Sequence, residues 1–192
     1  MVFHKIDIVI FFVGMKKEGF KFPEAYDYKV TTEEAIGDLP VLTGTEVVTE
    51  YSEEPKTEYE KLMRGDTKVL FNHAGTNHSQ QTIDIISMIK DGGKIKDLPP
   101  EYWEVRKYNK AFERMSSTGQ SNTVDTGHRN YFHYKQNRIP SVRENARLQS
   151  FTDDFEFLGS KTSQYKQVGN AVPPLLAYVV ANAIKDNLDS VK

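Results

Sequence analysis

Cysteine is absent from all 192 residues. That absence removes disulfides, thiolate zinc sites and any chemistry whose nucleophile is a thiol of this chain. Long apolar runs are lacking too: the apolar-rich stretch over 6–13 is far shorter than the roughly 20 residues a membrane helix needs. It is followed by Lys16, Lys17 and Glu18 rather than by a small-residue cleavage site, so it does not read as a secretory signal. A soluble cytoplasmic protein is the expectation. An excess of one charge is also missing, with 25 Lys and Arg against 27 Asp and Glu.

That near-neutral sum hides a gradient. Residues 1–60 carry six basic against thirteen acidic side chains, whereas 101–150 carry nine against five. The basic stretch contains Arg106, Lys107, Lys110, Arg114, Arg129, Lys135, Arg138, Arg143 and Arg147, interleaved with Tyr108, Phe112, Tyr131, Phe132 and Tyr134. Cations between aromatics suit a phosphate-facing surface, and equally a solvated charged face. With 38% hydrophobic and 27% charged residues the composition is that of a globular chain able to bury a core.

Local signals divide the chain. The 6–13 run, ending at Gly14, reads as a strand buried on both faces. Thr31-x-x-Glu34 has capping-box spacing and Gly37 follows, so a one-turn helix is predicted over 32–36. Residues 41–66 are acidic and aperiodic and read as a surface loop, with a short strand over 69–71. Ile83, Ile86 and Ile89 recur at helical spacing before Gly92-Gly93, predicting a helix over 78–90 with the isoleucines as its core stripe. Irregular β structure is expected over 116–138. Ser141-x-x-Glu144 is a second capping box, opening a helix through Gln149. Pro173-Pro174 opens another, with Leu176, Val179, Val180, Ala183, Ile184 and Leu188 as its apolar stripe.

Few constellations carry chemistry. His73 with His78 and His128 with His133 are spaced five apart, against the four of a metal-binding helix, and read as core or surface histidines with no metal site. Asp66-x-Lys68 has the shape of a nuclease metal site but is a common triplet. Gly169-Asn170-Ala171-Val172-Pro173-Pro174 is more specific. Its glycine and prolines would set Asn170 at a helix N-terminus, where N–H groups favour a carboxylate or anion, or would serve merely as a cap.

The segment Arg138-Ile139-Pro140-Ser141-Val142-Arg143-Glu144-Asn145-Ala146-Arg147-Leu148-Gln149-Ser150-Phe151, then Asp153-Asp154-Phe155, then Tyr165-Lys166-Gln167-Val168-Gly169-Asn170-Ala171-Val172-Pro173-Pro174, resembles the last two motifs of the C5-cytosine DNA methyltransferase family. Upstream, Phe12-Val13-Gly14-Met15, Phe20-Lys21-Phe22-Pro23 and Ala35-Ile36-Gly37-Asp38-Leu39-Pro40 are similar to the segment between the family's last catalytic strands and its target-recognition domain. Ser121-Asn122-Thr123-Val124 resembles the family's Ser-Pro-Thr-Ile stretch. The resemblance spans about 10–185. Departures accompany it: Lys5, Asp7 and Val9 stand where the family has Gln-x-Arg-x-Arg, and Thr152 where proline is usual.

The resemblance implies an α/β protein, an α+β fragment forming the C-terminal part of a methyltransferase with a mixed α/β target-recognition lobe. Its divisions would be 1–31 for a terminal strand region of the catalytic domain, 32–137 for target recognition and 138–192 for helices returning to the catalytic domain. Expected partners are double-stranded DNA and an N-terminal methyltransferase subunit or parent chain, with S-adenosyl-L-methionine as cofactor once both parts are joined. The family's Phe-x-Gly-x-Gly turn, Pro-Cys nucleophile loop and Glu-Asn-Val acid are expected upstream of Met1. The family chemistry needs them: a thiolate adds to cytosine C6 and an acid protects N3 before C5 takes the methyl. No catalytic residue is therefore expected here, and the chain alone should be inactive. Gly169, Asn170 and Ala171 would approach the cofactor, Thr123, Arg129, Lys135 and Arg138 the DNA, and Arg143 and Glu144 would brace the lobes. A non-catalytic DNA-binding or regulatory module and a metal-dependent nuclease remain as alternatives.

Overall fold

Serine and threonine caps decide where the helices begin. The computed structural model describes residues 12–14, 20–24, 28–103, 112–124, 126 and 131–189. Within them lie α1 (Thr32–Ile36), α2 (Glu58–Arg64), α3 (Gln80–Met88), β1 (Glu113–Arg114), β2 (Tyr131–Phe132), α4 (Val142–Leu148), α5 (Lys161–Asn170) and α6 (Pro174–Asp189). Two 3₁₀ turns, Ile95–Asp97 and Pro100–Tyr102, follow α3. Thr31, Thr57, Ser79, Ser160 and Ser141 each accept a backbone N–H at the start of α1, α2, α3, α5 and α4. Three of these are reciprocal boxes, in which Glu34, Glu60 and Glu144 reach back to the N-cap N–H.

Helix α2 corrects the loop expected over 41–66. Its Thr57-x-x-Glu60 box obeys the rule that finds α1 and α4, but acidic surroundings disguise it. Tyr59 and Met63 are buried, and the Tyr59 hydroxyl donates to the Arg147 carbonyl at 2.5 Å. The strand expected over 69–71 is not formed; Leu70 is buried and its N–H bonds to the Thr49 carbonyl at 2.8 Å. In α3 the buried seam runs through Thr82, Ile85, Ile86 and Ile89, leaving Ile83 half-buried. The strand expected over 6–13 lies outside the described residues except for Phe12 and Val13; Phe12 is exposed.

β1 and β2 pair in parallel, Glu113 opposite Tyr131 and Arg114 opposite Phe132, and they are the only paired strands among the described residues. Phe112 packs edge-on against Phe132 with ring centroids 4.4 Å apart. One apolar cluster joins Val30, Ile36, Met63, Ile86, Phe132, Ala146 and Val168, so core packing crosses from the 32–137 region into the helices after it. Burial of each large side chain there contributes about 1.5–3 kcal/mol.

Helix α4 ends in a Schellman motif: Phe151 N–H bonds to the Ala146 carbonyl and Ser150 N–H to that of Arg147. Ser150 holds the left-handed position at φ 63°, where glycine is usual. Its hydroxyl explains the choice, since it accepts the Leu175 N–H at 3.1 Å and so fixes the start of α6. No described helix is long and apolar enough to cross a membrane.

Candidate functional site

Among the described residues a buried charge network surrounds α4, where every residue from 138 to 150 is buried. Three cations and three carboxylates meet there. Arg138 forks onto Glu144, Nη1 to Oε2 at 2.7 Å and Nη2 to Oε1 at 2.6 Å, while Glu144 also accepts the Ser141 N–H at 2.6 Å. Burial alone would raise the Glu144 carboxyl, but Arg138 holds it well below the usual carboxylate range. Arg147 spans Asp38 and Asp153, with Nη2 at 2.6 Å from Asp153 Oδ2 and Nη1 against Asp38 Oδ1. Its burial disfavours charge, yet the two carboxylates raise its proton affinity above the ordinary arginine value. Tyr51 donates to Asp153 at 2.7 Å, and the Arg64 guanidinium stacks 3.6 Å over the Tyr51 ring.

Arg143 works differently. Its guanidinium donates to the carbonyls of Phe71, Thr152 and Phe155 at 2.8, 2.9 and 2.5 Å, with Asp153 at 3.7 Å. Its backbone N–H bonds to the Asn72 carbonyl. Asn72, at φ 60°, pairs its side-chain amide with both backbone groups of Phe157. One arginine and one asparagine thereby tie 71–72 to 152–157, across the start of α4. Burial lowers the Arg143 proton affinity, and the carbonyls share its charge.

Two buried histidines complete the arrangement. His73 Nε2 lies 2.8 Å from the Pro40 carbonyl and must donate to it, so Nδ1 accepts from the Ser141 hydroxyl at 3.0 Å. Ser141 simultaneously caps α4 by accepting the Glu144 N–H. His133 Nδ1 accepts the N–H groups of Lys135 and Gln136 at 3.0 and 3.1 Å, which leaves its proton on Nε2, 3.6 Å from Glu144. Burial pushes the His133 pKa down to about 4.

Among the described residues of the basic stretch, Arg114, Arg138, Arg143 and Arg147 are all buried, which corrects the phosphate-facing reading for these four. Arg138, expected at DNA, is committed to the interior: besides its bidentate pair with Glu144, Nε donates to the Gln136 side-chain oxygen at 2.8 Å and Nη1 to the Ile139 carbonyl at 2.9 Å. Thr123 and Lys135 are exposed, whereas Arg129, with Arg106, Lys107 and Lys110, lies outside the described residues. Gly169, Asn170 and Ala171 close the C-terminus of α5 rather than opening a helix; α6 begins at Pro174. The groups left free at such an end are carbonyls, so the N–H reason for an anion at Asn170 does not hold. Asn170 itself is exposed. Asp66 and Lys68 are exposed too, and no group of three or more His, Cys, Asp or Glu suited to a metal exists among the described residues.

Sequence reasoning placed His73 among core or surface histidines, and it is buried, but it gave no role to Asp38, Asp153, Tyr51 or Tyr59. Only Tyr59 carried a readable signal, through the α2 capping box; the others depend on contacts between distant segments.

Helix α4 buries its charges between the 71–72 and 152–157 segments, and α5 and α6 follow it. The chain belongs to the C-5 cytosine-specific DNA methylase family, whose model matches residues 10–186. It is 40% identical over 182 residues to the type II methyltransferase M1.HphI of Haemophilus parahaemolyticus, a match covering 91% of this chain and 42% of that protein. It is 35% identical over 129 residues to the type II methyltransferase M.AquIB of Picosynechococcus sp., covering 61% of this chain and 88% of that protein. A crystal structure of a prophage-encoded E. coli protein assigned as a DNA modification methyltransferase shares the fold, with a TM-score of 0.65 at 20% identity over 83% of this chain and 47% of that one. The chain spans less than half of M1.HphI, but most of M.AquIB.

Proposed function

We propose that this chain is the target-recognition and C-terminal part of a DNA cytosine-C5 methyltransferase, acting on duplex DNA with an N-terminal catalytic part supplied by another polypeptide or a parent chain. The family match over 10–186 carries the reading. The 88% coverage of M.AquIB supports it, because a curated type II methyltransferase of comparable compass exists. Residues 1–31 contribute to the catalytic sheet, 32–137 to recognition and 138–192 to the return. Arg143 and Glu144 brace the junction, in keeping with their ties to 71–72, 152–155 and Arg138.

S-adenosyl-L-methionine would supply the methyl group. Gly169, Asn170 and Ala171 offer one exposed amide beside the carbonyl end of α5, which suits a hydrogen-bond donor of that cofactor better than its carboxylate. These residues form one edge of a pocket completed by the N-terminal part. Thr123 and Lys135 face DNA. The exposed apolar side chains of α6, Tyr178, Ile184 and Leu188, seat the catalytic part.

Binding tests this reading. The chain should bind duplex DNA with a salt-dependent affinity measured by fluorescence anisotropy, and sediment as a one-to-one complex with the N-terminal part of a similar methyltransferase. DNA binding without any such complex would favour the non-catalytic module, and cleavage dependent on divalent metal would favour the nuclease.

A further inference from the structure

Arg114 is the buried cation that the charge network around α4 does not use. The residue is 6% exposed, and its hydrogen bonds among the described residues go to carbonyl and amide oxygens. Every acceptor it finds is neutral. Nε and Nη2 donate to the Ile89 and Ile86 carbonyls at the end of α3, at 2.7 and 2.5 Å. Nη1 reaches the carbonyls of His133, Tyr134 and Gln136 at 3.0, 3.4 and 3.3 Å, and Nη2 the Asn137 side-chain oxygen at 2.7 Å.

Four of those six acceptors belong to one turn. The same turn is closed by His133 N–H on the Arg138 carbonyl and Arg138 N–H on that of Gln136. From inside, His133 Nδ1 takes the N–H groups of Lys135 and Gln136. Carbonyls converge on Arg114 and amides on His133, so the polar backbone faces inward. Lys135 is left exposed on the outside. A planar fork with five donors can hold several carbonyls at once, which an ammonium cannot do in the same geometry.

We infer that Arg114 is a positioning residue for DNA binding, acting through the 133–138 turn that it and His133 hold in shape so that Lys135 meets a backbone phosphate. This rests on the DNA-binding reading above. Neither residue is suggested by the sequence pattern as a pair, because Arg114 lies in the preceding strand, β1, and reads there as one more surface cation.

The test is the salt dependence of affinity for a mixed-sequence DNA duplex, using the full chain. Each phosphate contact contributes close to one unit to the slope of log affinity against log salt. Lys135→Ala should lower the slope by about one unit. Arg114→Lys, which keeps the charge but loses the fork, should lower it equally, and the double variant should lower it no further. Arg64→Lys, at a buried arginine remote in sequence from the turn, should reduce the unfolding midpoint and leave the slope alone. If Arg114→Lys does not fold, Asn137→Ala takes its place, and faster hydrogen exchange at the Lys135 and Gln136 amides is the expected result. A wild-type slope in folded Arg114→Lys, or unchanged exchange in Asn137→Ala, overturns the inference alone. No DNA binding by the unmodified chain, or a wild-type slope in Lys135→Ala, overturns the DNA-facing reading of Lys135 and the inference with it.

Discussion

Helices α4 and α6 reverse what their compositions suggest. The seven residues of α4 include Arg143, Glu144 and Arg147, yet all are buried. The sixteen residues of α6 include six aliphatic side chains of Leu, Val and Ile type and a tyrosine, yet among the described positions only Ala183 is buried. Charge is interior in α4 because its ions are matched: Arg138 with Glu144, and Arg147 with Asp38 and Asp153. Along α6 Leu175 packs against the core and Leu176, Val179 and Val180 are half-buried, while Tyr178, Ile184 and Leu188 stay exposed. The contrast teaches that a helix is buried by what meets it, with composition a secondary guide.

Breaking α4 should have the largest effect. Arg147→Ala leaves Asp38 and Asp153 buried without their cation, and should cost about 3–5 kcal/mol, against total stabilities of about 5–15 kcal/mol for a domain. Glu144→Ala strands Arg138 in the same way and should cost a similar amount, above the loss of a helix cap alone. Urea denaturation of both variants checks this.

Acid should act next. His133 is neutral in the fold, with its pKa depressed to about 4 from an ordinary 6.5. Between those values the unfolded chain binds the proton that the folded chain refuses, so stability falls as pH is lowered across that window and is fully present above it. The loss should approach about 3 kcal/mol at pH 4. Glu144 begins to contribute its own loss at the acid end, so the slope that is absent in His133→Asn identifies the histidine's share. Denaturation at stepped pH values reads it.

Smaller again is Ser141→Ala, which removes the α4 cap and the donor to His73 Nδ1. About 2 kcal/mol is expected, the sum of a lost cap and an unpaired buried acceptor, as a lower thermal midpoint. Smallest are Tyr178→Ser and Leu188→Ser on α6. Both side chains are more than half exposed, so the isolated chain should change by no more than about 0.5 kcal/mol. The same variants should weaken sedimentation as a complex with the N-terminal part, which separates α6 from α4 by function as well as stability.

Local chemistry was legible in the sequence wherever a rule spans one turn. The boxes at Thr31 and Ser141, the α3 helix and the proline start of α6 all follow from spacing. The Thr57 box was equally legible and was hidden by its acidic setting. The resemblance carried by 138–174 named the family, which the match over 10–186 bears out. Illegible were the ion pair between Asp38 and Arg147, 109 positions apart, and the hydrogen bond from Tyr51 to Asp153, 102 apart, because only folding brings those segments together. Asn170 illustrates the other failure. Its glycine and prolines do mark a turn between helices, but capping Ser160 and the helix after it carry too few apolar residues to announce α5.

The account stands most directly on methyl transfer. Tritiated methyl incorporation into cytosine-containing duplex DNA should be measured for this chain, for the N-terminal part of a similar methyltransferase, and for the two mixed. No incorporation by either part and incorporation by the mixture is the predicted result. Incorporation by this chain alone would contradict it, since a chain with no cysteine would then have to activate cytosine without a thiolate.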